Sequence, residues 1–169
     1  MFTNYIHIFK IKRKLIQAKC LSSIDVNQEY LSELNKTKFL INQNKKLEKQ
    51  INYIKRIKKS KNKILIGFFF KKKLIGTSGF QKINTNKPTV GIFIFDKNFL
   101  GKKLSHLLTA NSCVFLHKIL KKNKFRCGIS NKNISSIKMF KKIGFNPYYK
   151  KNDVTFYKSN IEQIKKSCI

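Results

Sequence analysis

Apolar residues along this chain follow two spacings, and the switches between them mark its elements. Residues 64–70 (ILIGFFF) and 89–95 (TVGIFIF) are short, nearly continuous apolar runs rich in branched and aromatic side chains, the pattern of buried strands. Residues 74–80 (LIGTSGF) return from the first run across Lys71-Lys72-Lys73 and predict a hairpin with a solvated lysine turn. Part of the basic N-terminal stretch, 14–21 (KLIQAKCL), predicts the first strand. Elsewhere the spacing lengthens to three and four. Tyr30, Leu31 and Leu34 predict a helix over 26–35, with N-cap residues in Ser22-Ser23-Ile24-Asp25. Leu47, Ile51, Ile54 and Ile57 predict a second helix over 47–59. Leu104, Leu107, Leu108, Phe115 and Ile119 give a long third helix one apolar face, and Ile137, Phe140 and Ile143 do so for a fourth over 134–143, which Gly144 stops. Strands are predicted at 125–130, 145–150 and 154–159, with polar connections at 36–46, 82–87, 121–124 and 131–133. Gly91, inside the strand 89–95, predicts a bulge or a close backbone approach.

The order is β-α-α-β-β-β-α-β-α-β-β, a mixed α/β fold, and 169 residues without repeat or linker read as a single domain over 1–169. Charge sharpens the picture only partly. The net charge of +31 suggests a polyanion partner, yet arginine appears only at positions 13, 56 and 126, so nearly all of the 38 basic residues are lysine. Recognition of phosphates and bases favours the planar arginine fork, and these lysines are spread over the whole chain. They read as compositional bias that adds weak, salt-sensitive and non-specific affinity for nucleic acid. Cys20, Cys113, Cys127 and Cys168 have neither CxxC pairing nor a histidine at zinc-ligand spacing, so they predict reduced thiols, no metal and a cytoplasmic protein. No apolar run is long enough for a membrane span, and the N-terminal stretch lacks a signal peptide's apolar core.

The chemistry starts at residues 95–105. An apolar strand passes through Gly101 into the long helix, whose first amides have no partner in the chain and point out of its N-terminus. With the helix dipole behind them and Lys102 and Lys103 beside them, these amides form an anion site suited to a pyrophosphate.

Three segments then carry a family resemblance. Asn98-Phe99-Leu100-Gly101-Lys102-Lys103 is similar to the acyl-CoA loop of the GNAT superfamily of N-acetyltransferases, Q/R-x-x-G-x-G/A, with Asn98 for Gln/Arg and Lys103 for the second small residue. Asn133, Ser136, Phe140 and Gly144-Phe145 match in spacing the family's N-x-x-S/A signature with its aromatic residue and G-F. Tyr30-Leu31-Ser32-Glu33-Leu34-Asn35 resembles the D…YLxWLN segment of the ribosomal-protein-alanine acetyltransferase (RimJ/RimL-like) branch, with Glu33 in place of Trp. The resemblance covers residues 12–158.

It implies a mostly antiparallel sheet flanked by helices, and acetyl-CoA as co-substrate. The amides of Leu100, Gly101, Lys102, Lys103, Leu104 and Ser105 would hold the pyrophosphate. An amide among Ile92, Phe93 and Ile94 would polarise the thioester carbonyl. Asn98, Asn133, Ser136 and Phe140 complete the expected cofactor site. The family's attack of a neutral amine on the thioester needs a base, for which Glu33 and Asp96 are the candidates, and a donor to the leaving thiolate. Phe140 stands where the family often has a donating Tyr, which leaves Ser136 and Tyr148 for that role. The expected acceptor is a primary amine on a protein N-terminus, a lysine or an amino sugar, handled by a monomer or a homodimer. The substitutions at Lys103 and Phe140 motivate an alternative, a non-catalytic GNAT-fold protein that binds CoA or RNA. Gly101→Glu sets a charge and a side chain against the pyrophosphate. It is expected to abolish CoA binding by calorimetry while leaving the circular dichroism spectrum unchanged.

Overall fold

The computed structural model describes residues 5–36, 46–100 and 104–168. Within them the chain runs β1 (Ile6–Ile11), β2 (Lys14–Cys20), a short 3-10 turn (Ser23–Asp25), α1 (Gln28–Asn35), α2 (Leu47–Lys59), β3 (Lys63–Phe70), β4 (Lys73–Gln81), β5 (Thr89–Ile94), α3 (Ser105–Leu120), β6 (Lys124–Ser130), α4 (Ile134–Lys142), β7 (Asn146–Lys151), β8 (Val154–Asn160) and α5 (Ile161–Lys166). The strands form one eight-stranded sheet in the order β1-β2-β3-β4-β5-β6-β8-β7. Every neighbouring pair is antiparallel except β5 and β6, which run parallel. This is the mixed, mostly antiparallel α/β architecture that the sequence predicts.

Alternation in the strands builds a core on each face of the sheet. Ile64, Ile66 and Phe68 of β3, with Phe80, Val90 and Ile94, pack against Leu108, Phe115 and Leu116 of α3 and against Ile161 and Ile164 of α5. Phe69, Leu74 and Phe95 face the other way, onto Tyr30 and Leu34 of α1 and Ile54 of α2. The helices of this second layer cover β3 to β5 and leave that face of β6, β8 and β7 open.

The elements depart from expectation at four places. The N-terminal strand is a hairpin: β1 precedes β2 across Lys12, whose φ of 54° makes the turn. His7, Phe9 and Ile11 are the inward positions of β1, an alternation hidden in a lysine-rich context. The C-terminal α5 was not predicted, because one turn and a half carrying Ile161 and Ile164 shows too little periodicity. α1 is capped by Asn27, whose side chain accepts the Tyr30 amide at 2.9 Å, rather than by Ser22–Asp25. Those residues form the preceding 3-10 turn, in which Asp25 accepts from the amide and hydroxyl of Ser22, both at 2.8 Å, and pairs with Lys19 at 2.9 Å. Burial opposes the charge on Asp25, but these donors outweigh it and hold its carboxyl below the usual range. The fourth departure is in α3, which is buried nearly all round instead of along one stripe, because α4, α5 and β1 cover the side away from the sheet. Its polar residues tolerate this by bonding back to their own helix: Thr109 to the Ser105 carbonyl (2.8 Å), Asn111 to Leu107 (2.9 Å) and Ser112 to Thr109 (2.7 Å).

The expected bulge at Gly91 lies elsewhere. The β4–β5 register runs unbroken through the pair Gly79 and Gly91. The irregularity is in the facing pair, where Phe68 opposes Gly76 and Phe69 opposes Leu74, leaving Ile75 as the extra residue. Next to it, Gly76 is required by close approach. A Cβ there would lie 2.5 Å from Ile94 Cδ1, 2.8 Å from the Phe93 carbonyl oxygen and 3.1 Å from Ile94 Cα. Gly76→Ala is therefore expected to push β5 away and cost about 1–3 kcal/mol of stability, read as a lowered urea midpoint with an unchanged slope.

Candidate active site

Two parallel strands that start together and separate define the site. β5 and β6 share one register position, Thr89 with Arg126, whereas the other neighbouring pairs hold four or more. The joined end is fastened twice. The Arg126 amide donates to the Pro88 carbonyl at 3.0 Å, and the Arg126 Nε donates to Thr89 Oγ1 at 3.0 Å. Beyond Thr89 the strands diverge toward their C-terminal ends.

The divergence strips partners from a known set of backbone groups. The Phe95 amide donates to the Ile75 carbonyl of β4 at 3.2 Å. Because ladder bonds alternate, Phe93, Gly91 and Thr89 also turn their N–H and C=O toward β4, while Val90, Ile92 and Ile94 turn theirs toward β6. The Pro88 carbonyl, on the same side as these, does reach β6. No β6 residue stands in register with Ile92 or Ile94, so their amides and carbonyls open into the gap. Polar backbone at a half-buried and a buried residue calls for a partner. An extended ligand carrying amide groups can pair there as a strand would. Phe93 differs from its neighbours: its backbone belongs to the β4 ladder, and its side chain packs with Tyr30 on the opposite face, ring centroids 6.3 Å apart.

The strand that lines the gap is held rigidly. Ser78 of β4, fully buried, donates to the Gly91 carbonyl at 3.1 Å and shares a 3.0 Å hydrogen bond with Ser112 of α3. This hydroxyl chain ties β5 to both neighbours without reaching the gap itself.

Two helix N-termini stand at the open end. After β5, Asp96 organises a turn: its carboxylate accepts the Asn98 amide at 2.8 Å, and its carbonyl accepts those of Phe99 (2.9 Å) and Leu100 (3.0 Å). Leu100 is exposed, Leu104 is buried at the N-cap of α3, and Ser105 begins that helix half-buried. Gly101, Lys102 and Lys103 lie outside the described residues, as does most of the 36–46 connection. After β6, Asn133 caps α4 by accepting the Ser136 amide at 3.1 Å, which places Ser136 in the first turn. Phe140 is buried deeper in α4, edge-on to Phe145 at 5.1 Å. The anion-binding ends of α3 and α4 thus flank the mouth of the gap.

The remaining predicted residues lie apart. Glu33 sits on α1 away from the core and pairs with Lys36 at 2.7 Å. Tyr148 is exposed on β7, which β8 separates from β6 by two strand spacings, roughly 10 Å. Sequence reasoning missed the polar cluster beneath α1. The Tyr30 hydroxyl bonds to Thr77 and Gln50, and although these bonds favour the phenolate, burial pushes its pKa up. Buried polar partners scattered over three elements leave no motif to find. A cavity of about 240 Å³ lies beside this cluster, lined by Asp25, Glu29, Tyr30, Lys73 and Phe95, on the β3–β4 side of β5 rather than at the gap. Burial raises the pKa of the Cys113 and Cys127 thiols, consistent with core packing, and no cluster of metal-ligating side chains occurs among the described residues. No described helix is long and apolar enough to cross a membrane.

Known proteins match this arrangement. The family model for the acetyltransferase (GNAT) domain matches residues 23–146. Campylobacter jejuni N-acetyltransferase PseH, solved with acetyl coenzyme A, aligns at a TM-score of 0.65 and 18% identity over 85% of this chain and 98% of its own. Mycobacterium smegmatis RimJ, in complex with CoA-disulfide, aligns at 0.76 and 6% identity over 94% and 88%. Vibrio cholerae spermidine N-acetyltransferase SpeG aligns at 0.74 and 14% identity over 88% and 95%. At these identities the structural likeness speaks to the fold. No curated protein matches the chain significantly. Acetyl-CoA and CoA at a hundredfold excess over their dissociation constants are expected to stabilise the protein by about 2.7 kcal/mol. For a chain of this size that raises the melting temperature by about 5–10 °C. ATP at moderate salt should move it far less, and an equal shift with every polyanion would show that the lysines bind charge indiscriminately.

Proposed function

The chain belongs to the acetyltransferase (GNAT) domain family, and from that premise we propose that it moves an acetyl group from acetyl-CoA to a primary amine by direct attack in a ternary complex. The observation that carries this reading is the run of outward-turned amides at Ile92 and Ile94 in the β5–β6 gap, with two helix N-termini at its mouth.

Acetyl-CoA supplies an activated thioester and an amide-bearing arm. The backbone of Val90, Ile92 and Ile94 would pair with that arm and draw the thioester into the gap. The N–H of Ile92 or Ile94 would donate to the carbonyl oxygen as charge develops on it, a fixed donor that needs no reorganisation. Asn98, the amides from Leu100 through Ser105 and the side chain of Asn133 would hold the phosphates and arm at the open end. As the amine nitrogen bonds to the acetyl carbon, one of its protons passes to Asp96 and the carbon–sulfur bond breaks. The Ser136 hydroxyl, in the first turn of α4, would donate a hydrogen bond to the leaving thiolate, which takes its proton from solvent, because Phe140 has none to give. Glu33 pairs with Lys36, and Tyr148 lies exposed on β7, two strands from β6, so this reading gives the two roles to Asp96 and Ser136.

The acceptor's amine approaches from the face carrying α1. Three of the chain's seven acids, Asp25, Glu29 and Glu33, lie in or just before α1, where each pairs with a lysine (Lys19, Lys73 and Lys36), so Asp96 at the end of β5 is the acid this reading sets toward the ammonium. A protein N-terminus, a lysine or an amino sugar would each present such a group. Within the family, the segment Tyr30–Asn35 supports the RimJ/RimL-like branch, and four unpaired thiols, two of them buried, support a cytoplasmic setting.

Asp96→Asn separates catalysis from structure, because Asn keeps an acceptor oxygen for the Asn98 amide. If Asp96 is the base, kcat falls about 100-fold or more at neutral pH, KM and melting temperature stay near those of the parent, and raising the pH recovers rate as the amine loses its own proton. A near-parental kcat in Asp96→Asn, with lowered stability in Asp96→Ala, would confine Asp96 to the turn.

A further inference from the structure

The uncovered face of β6, β8 and β7 carries a built feature that acetyl transfer does not use. Gly128 of β6 lacks a side chain, and the Phe156 ring of β8 lies in its place: a Cβ on Gly128 would meet ring carbons at 3.0 and 3.3 Å. The Phe156 ring therefore lies across β6 instead of standing up from its strand. Tyr149 of β7 leans against it, centroids 5.6 Å apart and planes 35° from parallel. A bulge sets the third ring. Pro147 opposes Tyr157 and Tyr149 opposes Phe156, so Tyr148 is the extra residue and joins Tyr149 on the same face. There the Lys158 ammonium sits 5.4 Å from the Tyr148 ring centroid. Tyr148 is 44% and Tyr149 55% exposed, unusual for two adjacent aromatic residues on a strand.

Cations ring this platform. With Thr89, Arg126 and Lys82, the three rings line a cavity of about 270 Å³. Arg126 is one of only three arginines among 38 basic residues. Its Nε donates to Thr89 Oγ1, which fixes the guanidinium in the wall of the cavity. Flat aromatic faces beside a fixed arginine and flanking lysines match a flat, anionic ligand.

Position limits what that ligand is. Thr89, in the wall of this cavity, lies three residues before Ile92 on β5, about 10 Å along the strand. Gly91 lies between them on the open face and is exposed, so no side chain interrupts the path. A ligand laid along it would have its cationic end toward Asp96 and its anionic, aromatic end at Arg126 and Tyr149. We propose that this cavity is a nucleotide-binding subsite: Phe156 and Tyr149 stack the base, Arg126 with Lys82 and Lys158 holds the phosphates, and the acceptor is an amine carried by a nucleoside diphosphate. What happens at the amine end rests on the acetyl-transfer reading above; the subsite itself does not.

The test is calorimetric titration of CoA-saturated protein, so that the co-substrate site is already filled. Uridine diphosphate is compared with inorganic pyrophosphate and with an eight-nucleotide oligouridylate. Uridine diphosphate is expected to bind at least tenfold tighter than pyrophosphate. Tyr149→Ala, an exposed change that spares the core, is expected to weaken it at least tenfold while leaving pyrophosphate and CoA binding unchanged. Phe156→Leu, which keeps the volume over Gly128 but loses the ring, should act in the same direction. Equal affinity for uridine diphosphate and pyrophosphate, or an unchanged Tyr149→Ala, would overturn the subsite. Binding of the oligonucleotide far more tightly than the diphosphate would also overturn it, since the face would then be a track for an RNA strand. Failure of CoA itself to bind would instead remove the acetyl-transfer reading and leave the nucleotide result standing on its own.

Discussion

The structure depends on one incomplete strand pairing. Parallel neighbours are ordinarily joined along their length, and here β5 and β6 keep a single register position before they part. The connection between them is α3, which packs Leu108, Phe115 and Leu116 into the core behind these strands. A sheet so interrupted exposes backbone donors and acceptors that a complete ladder would bond. Such groups are satisfied by water or by an extended partner that pairs with them as a strand would. On the proposed reading, these unmade hydrogen bonds would be the recognition surface of the site.

The surrounding elements hold that interruption in one shape. Arg126, through Thr89 and Pro88, fixes where the strands meet, and the Ser78–Ser112 hydrogen bond with the Gly91 carbonyl fixes β5 against α3. Gly76 lets β4 and β5 approach closely enough to stay flat beside the gap. Polar side chains inside α3 would ordinarily weigh against burying a helix on all sides. Their bonds back to the preceding turn remove that penalty and let one helix serve as the core of half the molecule.

Charge is distributed unevenly around this frame despite the uniform excess of lysine. Acids gather at α1, each paired with a lysine, and at the end of β5, while the one arginine of β6 and the exposed tyrosines of β7 lie where α1 and α2 leave the sheet open. The α3 and α4 side of the sheet presents helix N-termini, which favour anions.

Local pattern determined most of the elements. Strands with nearly continuous apolar runs and helices with three- and four-residue spacing were legible within a residue or two, because each encodes its burial in its own sequence. Phe140 and Gly144 were legible for the same reason, as a core position and a helix stop, whereas Asn133 and Ser136 were singled out by the family resemblance and the cap between them appeared only in the structure. What tertiary structure alone decided lies between segments. The divergence of β5 from β6, the displacement of the expected bulge from Gly91 to Ile75, the Phe156 ring lying over Gly128 and the Tyr30 cluster with Thr77 and Gln50 all depend on register and packing between distant strands and helices. Periodicity reports which face of an element is buried. It carries no information on which neighbour covers that face, or on how far two strands travel together before they separate.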